Sequence, residues 1–149
     1  MTADKQVAPR QPQQERGGGD GFPVGAELPP ITKHIAQPDL HRYADASGDH
    51  NPFHLDADFA ASTQFGGTIA HGMLILAFAS EMLTGAFGRD WLDSGRLKIR
   101  FRAPARPGDA ITCAGRITKV EPQRVVAEIE CRNQSGEVVL DGTAEIAAS

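Results

Sequence analysis

From Gly72 to Phe87 nearly every position is apolar, which predicts one helix of roughly 16 residues with no clear polar face. Such a helix must be buried on all sides, and it is too short to span a bilayer, so the rest of the chain has to enclose it. The stretch that follows changes period. Leu97, Ile99 and Phe101 alternate with Lys98, Arg100 and Arg102, and Val125, Ala127, Ile129 and Cys131 alternate with more polar neighbours, as in a half-buried antiparallel sheet. Strands are predicted over Arg96 to Ala103, Ala110 to Val120, Val125 to Arg132 and Val138 to Ile146. Turns fall at Pro107-Gly108-Asp109, Glu121-Pro122-Gln123 and Gln134-Ser135-Gly136. Upstream, a short strand is expected around Ile31 to Ile35. A helix opens at Pro38-Asp39, offers Leu40, Tyr43 and Ala44 as its apolar face and stops at Gly48. A second helical stretch runs from Asp56 through Ala61. The fold class is therefore α+β, one curved antiparallel sheet wrapped around one long apolar helix.

The chain has 149 residues, 40% of them hydrophobic, enough for one domain with a real core. Residues 1–22 hold Pro9, Pro12, a Gln-rich patch and Gly17-Gly18-Gly19 but few apolar side chains, and are expected to be a disordered tail ahead of a domain at 23–149. The net charge of −4 gives no reason to expect nucleic acid. Cys113 and Cys131 fall inside predicted strands as buried small hydrophobes, and two thiols of this kind suggest a reduced compartment. With no membrane-length apolar run and no apolar signal-peptide core, the expected setting is soluble and cytoplasmic.

The chemistry concentrates in Ser47-Gly48-Asp49-His50-Asn51-Pro52-Phe53-His54-Leu55-Asp56. Asp49 and His54 flank a stiff Asn-Pro turn, and a carboxylate beside an imidazole is general acid/base equipment. Asp49 and Asn51 also suit plain turn capping. Asp45, Ser47, Asp49, Asn51 and Asp56 match a calcium loop in spacing, yet His50 stands where the sharp turn wants Gly and Asp56 where a bidentate Glu is usual. His50 and His54 are four apart, but Pro52 between them opposes the continuous helix that would join them on one metal. No metal is expected on these departures, and no cofactor, since no glycine-rich nucleotide loop is present.

These residues, with Ile69-Ala70-His71-Gly72-Met73-Leu74 at the head of the apolar helix, resemble the MaoC-like hydratase/dehydratase family of hotdog-fold proteins, which includes the (R)-specific enoyl-CoA hydratases. The resemblance runs from about Val24 to Ile146. It implies a hydro-lyase that adds water reversibly to 2-enoyl thioesters of CoA or acyl-carrier protein, giving (R)-3-hydroxyacyl products. Asp49 and His54 match the catalytic pair and Asn51 the residue that fixes it. Gly72 matches the position whose N–H binds the thioester oxygen, a role that a helix N-terminus suits independently. Ser80 falls near the implied acyl pocket and equally suits helix packing; His71 reads as a capping or packing residue or as a proton carrier. A homodimer is implied, with no membrane span and no nucleic acid partner. Arg96, Lys98, Arg100, Arg102 and Arg106 either meet phosphates of the thioester carrier or form a solvated strand face. A hotdog thioesterase and a partner-dependent dehydratase subunit are the competing readings, and His34 and His41 have no constellation around them.

Overall fold

The computed structural model describes residues 21–147; the expected tail up to residue 20 lies outside the described residues. Element order is β1 (Ile31–His34), α1 (Gln37–Ser47), α2 (Pro52–Leu55), α3 (Ala57–Ala61), α4 (Gly72–Phe87), α5 (Arg89–Ser94), β2 (Arg96–Phe101), β3 (Ala110–Glu121), β4 (Arg124–Arg132) and β5 (Val138–Ala147). The strands form one antiparallel sheet in the order β1-β3-β4-β5-β2. Two short helices escape the hydrophobic pattern. α2 has a single turn nucleated by Asn51 and Pro52, and α5 is six residues of mixed polarity around Trp91, so neither spans enough turns to show a period.

Period two puts alternate residues of the central strands on one face. Ile111, Cys113 and Ile117 of β3, Val125, Ala127, Ile129 and Cys131 of β4, and Leu140, Ala144 and Ile146 of β5 are all buried there. The two thiols face each other across β3 and β4 with their sulfurs 3.0 Å apart, both fully buried, which matches the reading of small core residues. α4 lies against this face through Ile75, Ala79, Met82 and Leu83. The expectation of a helix buried on every side is corrected: Met73, Ala77, Glu81 and Gly85, spaced one helical turn apart, are exposed. The sheet covers one side of α4 only, and the apolar residues of the other side face outward in the single chain.

Phe22, placed by sequence in the tail, packs edge-on against Phe87 with ring centroids 5.5 Å apart. At the far edge, β2 approaches β5 so closely that a Cβ on Gly142 would stand 2.1 Å from the Lys98 carbonyl oxygen and 2.7 Å from Ile99 Cα. No helix among the described residues is long and apolar enough to cross a membrane.

Candidate active site

The site is assembled by three segments that meet at the N-terminal end of α4. α1 stops at Gly48 in the left-handed conformation that glycine adopts without strain, and the chain turns into the Asp/His loop. Asp49 uses Oδ1 to accept from the Asn51 N–H at 3.2 Å. Asn51 caps α2 by accepting from the Phe53 N–H at 3.3 Å, with Pro52 in the first helical position. The capping role expected of these residues and the proposed chemical one therefore coexist, because capping is what turns His54 inward. His54 is only 4% exposed, whereas the Asp49 side chain is 53% exposed.

The hydrogen bonds fix the imidazole's tautomer. His54 donates Nδ1–H to the Ile69 carbonyl at 2.7 Å, leaving Nε2 with a lone pair 3.7 Å from Asp49 Oδ2. Two acceptors at that separation cannot bond each other, but one water can donate a hydrogen to each. Burial pushes the His54 pKa below the ordinary imidazole value, reinforced by neighbouring His71 and opposed by the Ile69 carbonyl and Asp49. The neutral ring is thus the resident form at neutral pH. An activity that needs it should stay flat through the ordinary value of about 6.5 and decline only on the acid side. The sign for stability follows from the same shift. The unfolded chain binds a proton before the folded one does, so folding weakens as pH falls below about 6.5 until the folded value is passed. Urea unfolding across that window should show this slope, and the slope should flatten in His54→Gln.

His71 joins both members of the pair. It stacks on His54 with centroids 3.8 Å apart and planes 22° from parallel, and donates Nε2–H to the Asp49 carbonyl at 3.0 Å. Tyr43 lies 4.8 Å behind it, and His71 Nδ1 is buried without a partner. Asp49, His54 and His71 offer ligand atoms within 4.8 Å of one another. Stacked rings send their in-plane lone pairs side by side, however, so this donor set does not converge on a cation as a tetrahedral site requires. His50 turns outward to Asp45, 3.2 Å away, and shares nothing with His54.

Gly72 opens α4 directly after His71, with its N–H free of any intrahelical acceptor and backed by the helix dipole. His54 and Gly72 line one cleft of about 500 Å³, with Phe65, Ile75, Phe101 and Val139 giving it an apolar wall. The alternation placed Phe101 in the core. Instead it is 53% exposed, and its ring lies over Gly72, where an added Cβ would meet Cε1 at 2.9 Å. A second hollow of about 600 Å³ on the outer face, lined by Arg116, Glu128, Glu130 and Asp141 among others, holds no imidazole and no helix N-terminus.

Ser80 is not brought to this cleft. Two turns along α4, its Oγ accepts the Trp91 indole N–H at 2.9 Å and so pins α5 to α4. Ser80→Ala should lower stability by about 1 kcal/mol by leaving that N–H without its partner, with turnover unchanged. A thermal melt beside a rate assay checks both, and a large loss of turnover at unchanged stability would return Ser80 to the acyl site. In the basic stretch, Arg102 is committed to Asp141 at 3.0 Å, while Arg96, Lys98 and Arg100 pair in register with Glu145, Thr143 and Asp141. Gln37, which no sequence pattern singled out, donates to the His54 carbonyl from outside the Asp/His loop and accepts from the Thr68 hydroxyl.

An antiparallel sheet packed on one helix, with an Asp/His loop held at that helix's N-terminus, is the arrangement of a hotdog-fold protein, and its relatives make it a hydro-lyase. The chain belongs to the MaoC-like family: the model of the MaoC like domain matches residues 23–139. It is 35% identical over 119 residues to a 3-hydroxybutyryl-CoA dehydratase of Methylorubrum extorquens, covering 76% of this chain and 73% of that protein. An (R)-specific enoyl-CoA hydratase of Rhodospirillum rubrum is 32% identical over 118 residues, 78% of this chain and 81% of its own. Among solved structures, an unliganded R-hydratase from Pseudomonas aeruginosa superposes with a TM-score of 0.76 at 36% identity, over 85% of this chain and 82% of that one.

Proposed function

We propose that this chain adds water reversibly to 2-enoyl thioesters, giving (R)-3-hydroxyacyl thioesters, with Asp49 and His54 as the acid/base pair. The observation that carries this reading is the pair of facing acceptors, Asp49 Oδ2 and His54 Nε2, 3.7 Å apart, with His54 lining the same cleft as Gly72. In hydration, the pair holds a water by both hydrogens. As its oxygen bonds C3, one proton passes to the pair and the C2–C3 electrons move toward the thioester oxygen. That oxygen, gaining charge, accepts from the Gly72 N–H. Return of a proton to C2 restores the thioester and resets the pair. Asn51 and His71 hold the pair in place, and the R configuration follows the relatives' printed names.

A homodimer fits the same reading. β2 is a sheet edge, and beside it Met73 and Phe101 stand exposed over the cleft; a second copy adding its own edge there would cover both. Of the basic stretch only Arg102 lines the cleft, and it would be the residue to meet the anionic arm of CoA or of a carrier phosphopantetheine.

The test is hydration of crotonyl-CoA by the purified protein, following loss of the enoyl absorbance and resolving the product's chirality. (R)-3-Hydroxybutyryl-CoA is the expected product. Release of free thiol would mark a thioesterase, and no turnover of CoA or carrier-linked enoyl thioesters by folded protein would overturn the reading.

A further inference from the structure

His54 rides on α2, a helix of four residues, too short to hold its own position. The partner of its ring, the Ile69 carbonyl, belongs to a segment between α3 and α4 that has no regular structure. The direction of Nε2 toward Asp49 therefore depends on how residues 53–54 and 68–69 are fixed to each other. Two ties are internal: the ring bond itself and the Ile69 N–H to the Phe53 carbonyl at 3.2 Å. The third comes from outside. Gln37 donates Nε2–H to the His54 carbonyl at 2.9 Å, and its Oε1 accepts from the Thr68 hydroxyl at 2.8 Å.

The orientation of that amide is forced. A backbone carbonyl only accepts, so the NH₂ end must face residue 54, and the remaining oxygen must then take the Thr68 hydroxyl proton. One half-buried side chain thus closes a ring of hydrogen bonds around both segments. Its base is firm, because Gln37 begins the 11-residue α1, whose Leu40 and Ala44 are sealed in the core.

We infer that Gln37, seated by Thr68, is a positioning residue that anchors the His54 segment to α1 and so aims the imidazole at Asp49. The inference rests on the proposed acid/base role of His54, and it extends the site to a helix that contributes no reacting group. Displacement of a catalytic group by about 1 Å costs on the order of 10²-fold. Two ties survive the loss of Gln37, so a smaller drop is expected.

Gln37→Met, which keeps length and loses both bonds, should lower kcat for crotonyl-CoA about tenfold with KM within about twofold. Thr68→Val, which loses only the seat, should lower kcat about threefold. Gln37→Glu, assayed at pH 8 where the carboxylate is ionised, keeps the acceptor for Thr68 but offers the His54 carbonyl no donor, and should fall at least as far as Gln37→Met. The direct readout needs no turnover: the imidazole Nδ1–H of His54, buried on the Ile69 carbonyl and so expected to exchange slowly in the wild type, should exchange faster or broaden by ¹⁵N NMR in Gln37→Met at a temperature where the protein is fully folded. Wild-type kcat together with an unchanged Nδ1–H signal in that variant would overturn the inference. So would full recovery in Gln37→Glu, which would assign the effect to Thr68 alone. If the wild type itself fails to hydrate enoyl thioesters, the proposed function falls while the NMR comparison still decides the anchoring.

Discussion

Asp49→Asn is expected to lower kcat for hydration of crotonyl-CoA by about 10³-fold, and His54→Ala by at least as much. Asn at position 49 can still take the Asn51 N–H through its carbonyl oxygen, so the turn survives while the charge and the acceptor opposite His54 Nε2 are lost. The water then keeps one holder in place of two. His54→Ala removes the other holder and leaves the Ile69 carbonyl without its partner, so this variant should also melt lower, and its rate is to be compared at a temperature where it is folded. On the proposed mechanism the two groups act on one water as a unit, so the double variant should be little worse than the poorer single one. Multiplicative losses would mean independent roles. Retention of activity within tenfold in either folded single variant would sink the assignment.

The second large effect concerns folding. Gly142→Val should destabilise the protein by about 3 kcal/mol or more, because the added carbon falls on backbone atoms. The Lys98 carbonyl oxygen and Ile99 Cα, at 2.1 and 2.7 Å from the built Cβ, cannot yield without parting β2 from β5. Gly115→Ala is the matched contrast. Its new methyl would meet Leu28 Cδ1 at 2.9 Å, the end of a buried side chain that can shift where backbone cannot, and about 1 kcal/mol is the expected cost. Urea unfolding of the two variants should rank them in that order. A Gly142→Val protein within 1 kcal/mol of wild type would show that the β2 edge adjusts more readily than the close approach implies.

Much of this fold was legible because long periodic segments are where local sequence and tertiary burial agree. Strand Arg124–Arg132 alternates along its length and Ala110–Glu121 does so as far as Ile117, where the register shifts, since one face alone meets α4. α4 was legible as a helix, but its uniform apolarity hid the fact that Met73 and Ala77 face outward; composition cannot report a face that stays apolar while uncovered. α2 was lost because Pro52 reads as a breaker, although at the first helical position it starts a turn. The Asp/His loop and the His-Gly pair stood out in the sequence. Gln37, Thr68 and Tyr43 did not, since the links Gln37–His54, Thr68–Gln37 and Tyr43–His71 span 17, 31 and 28 positions of a chain whose local patterns say nothing about such contacts.

The strand order also dictates a schedule for the growing chain on the ribosome. β2 is made before β3, yet its sole neighbour in the sheet is β5, so it must wait unpaired until the last strand emerges. The roughly fifty residues from the end of α4 to the start of β5 take on the order of several seconds to synthesise at about 5–20 residues per second. Within that interval α4 can settle on β1, β3 and β4 as they form, but β2, once made, stands open until β5 arrives, a target for chaperones and a hazard for aggregation. Phe101 and Val139, which wall the cleft, meet only when β5 docks, so the cleft takes shape after the other four strands of the sheet have been made.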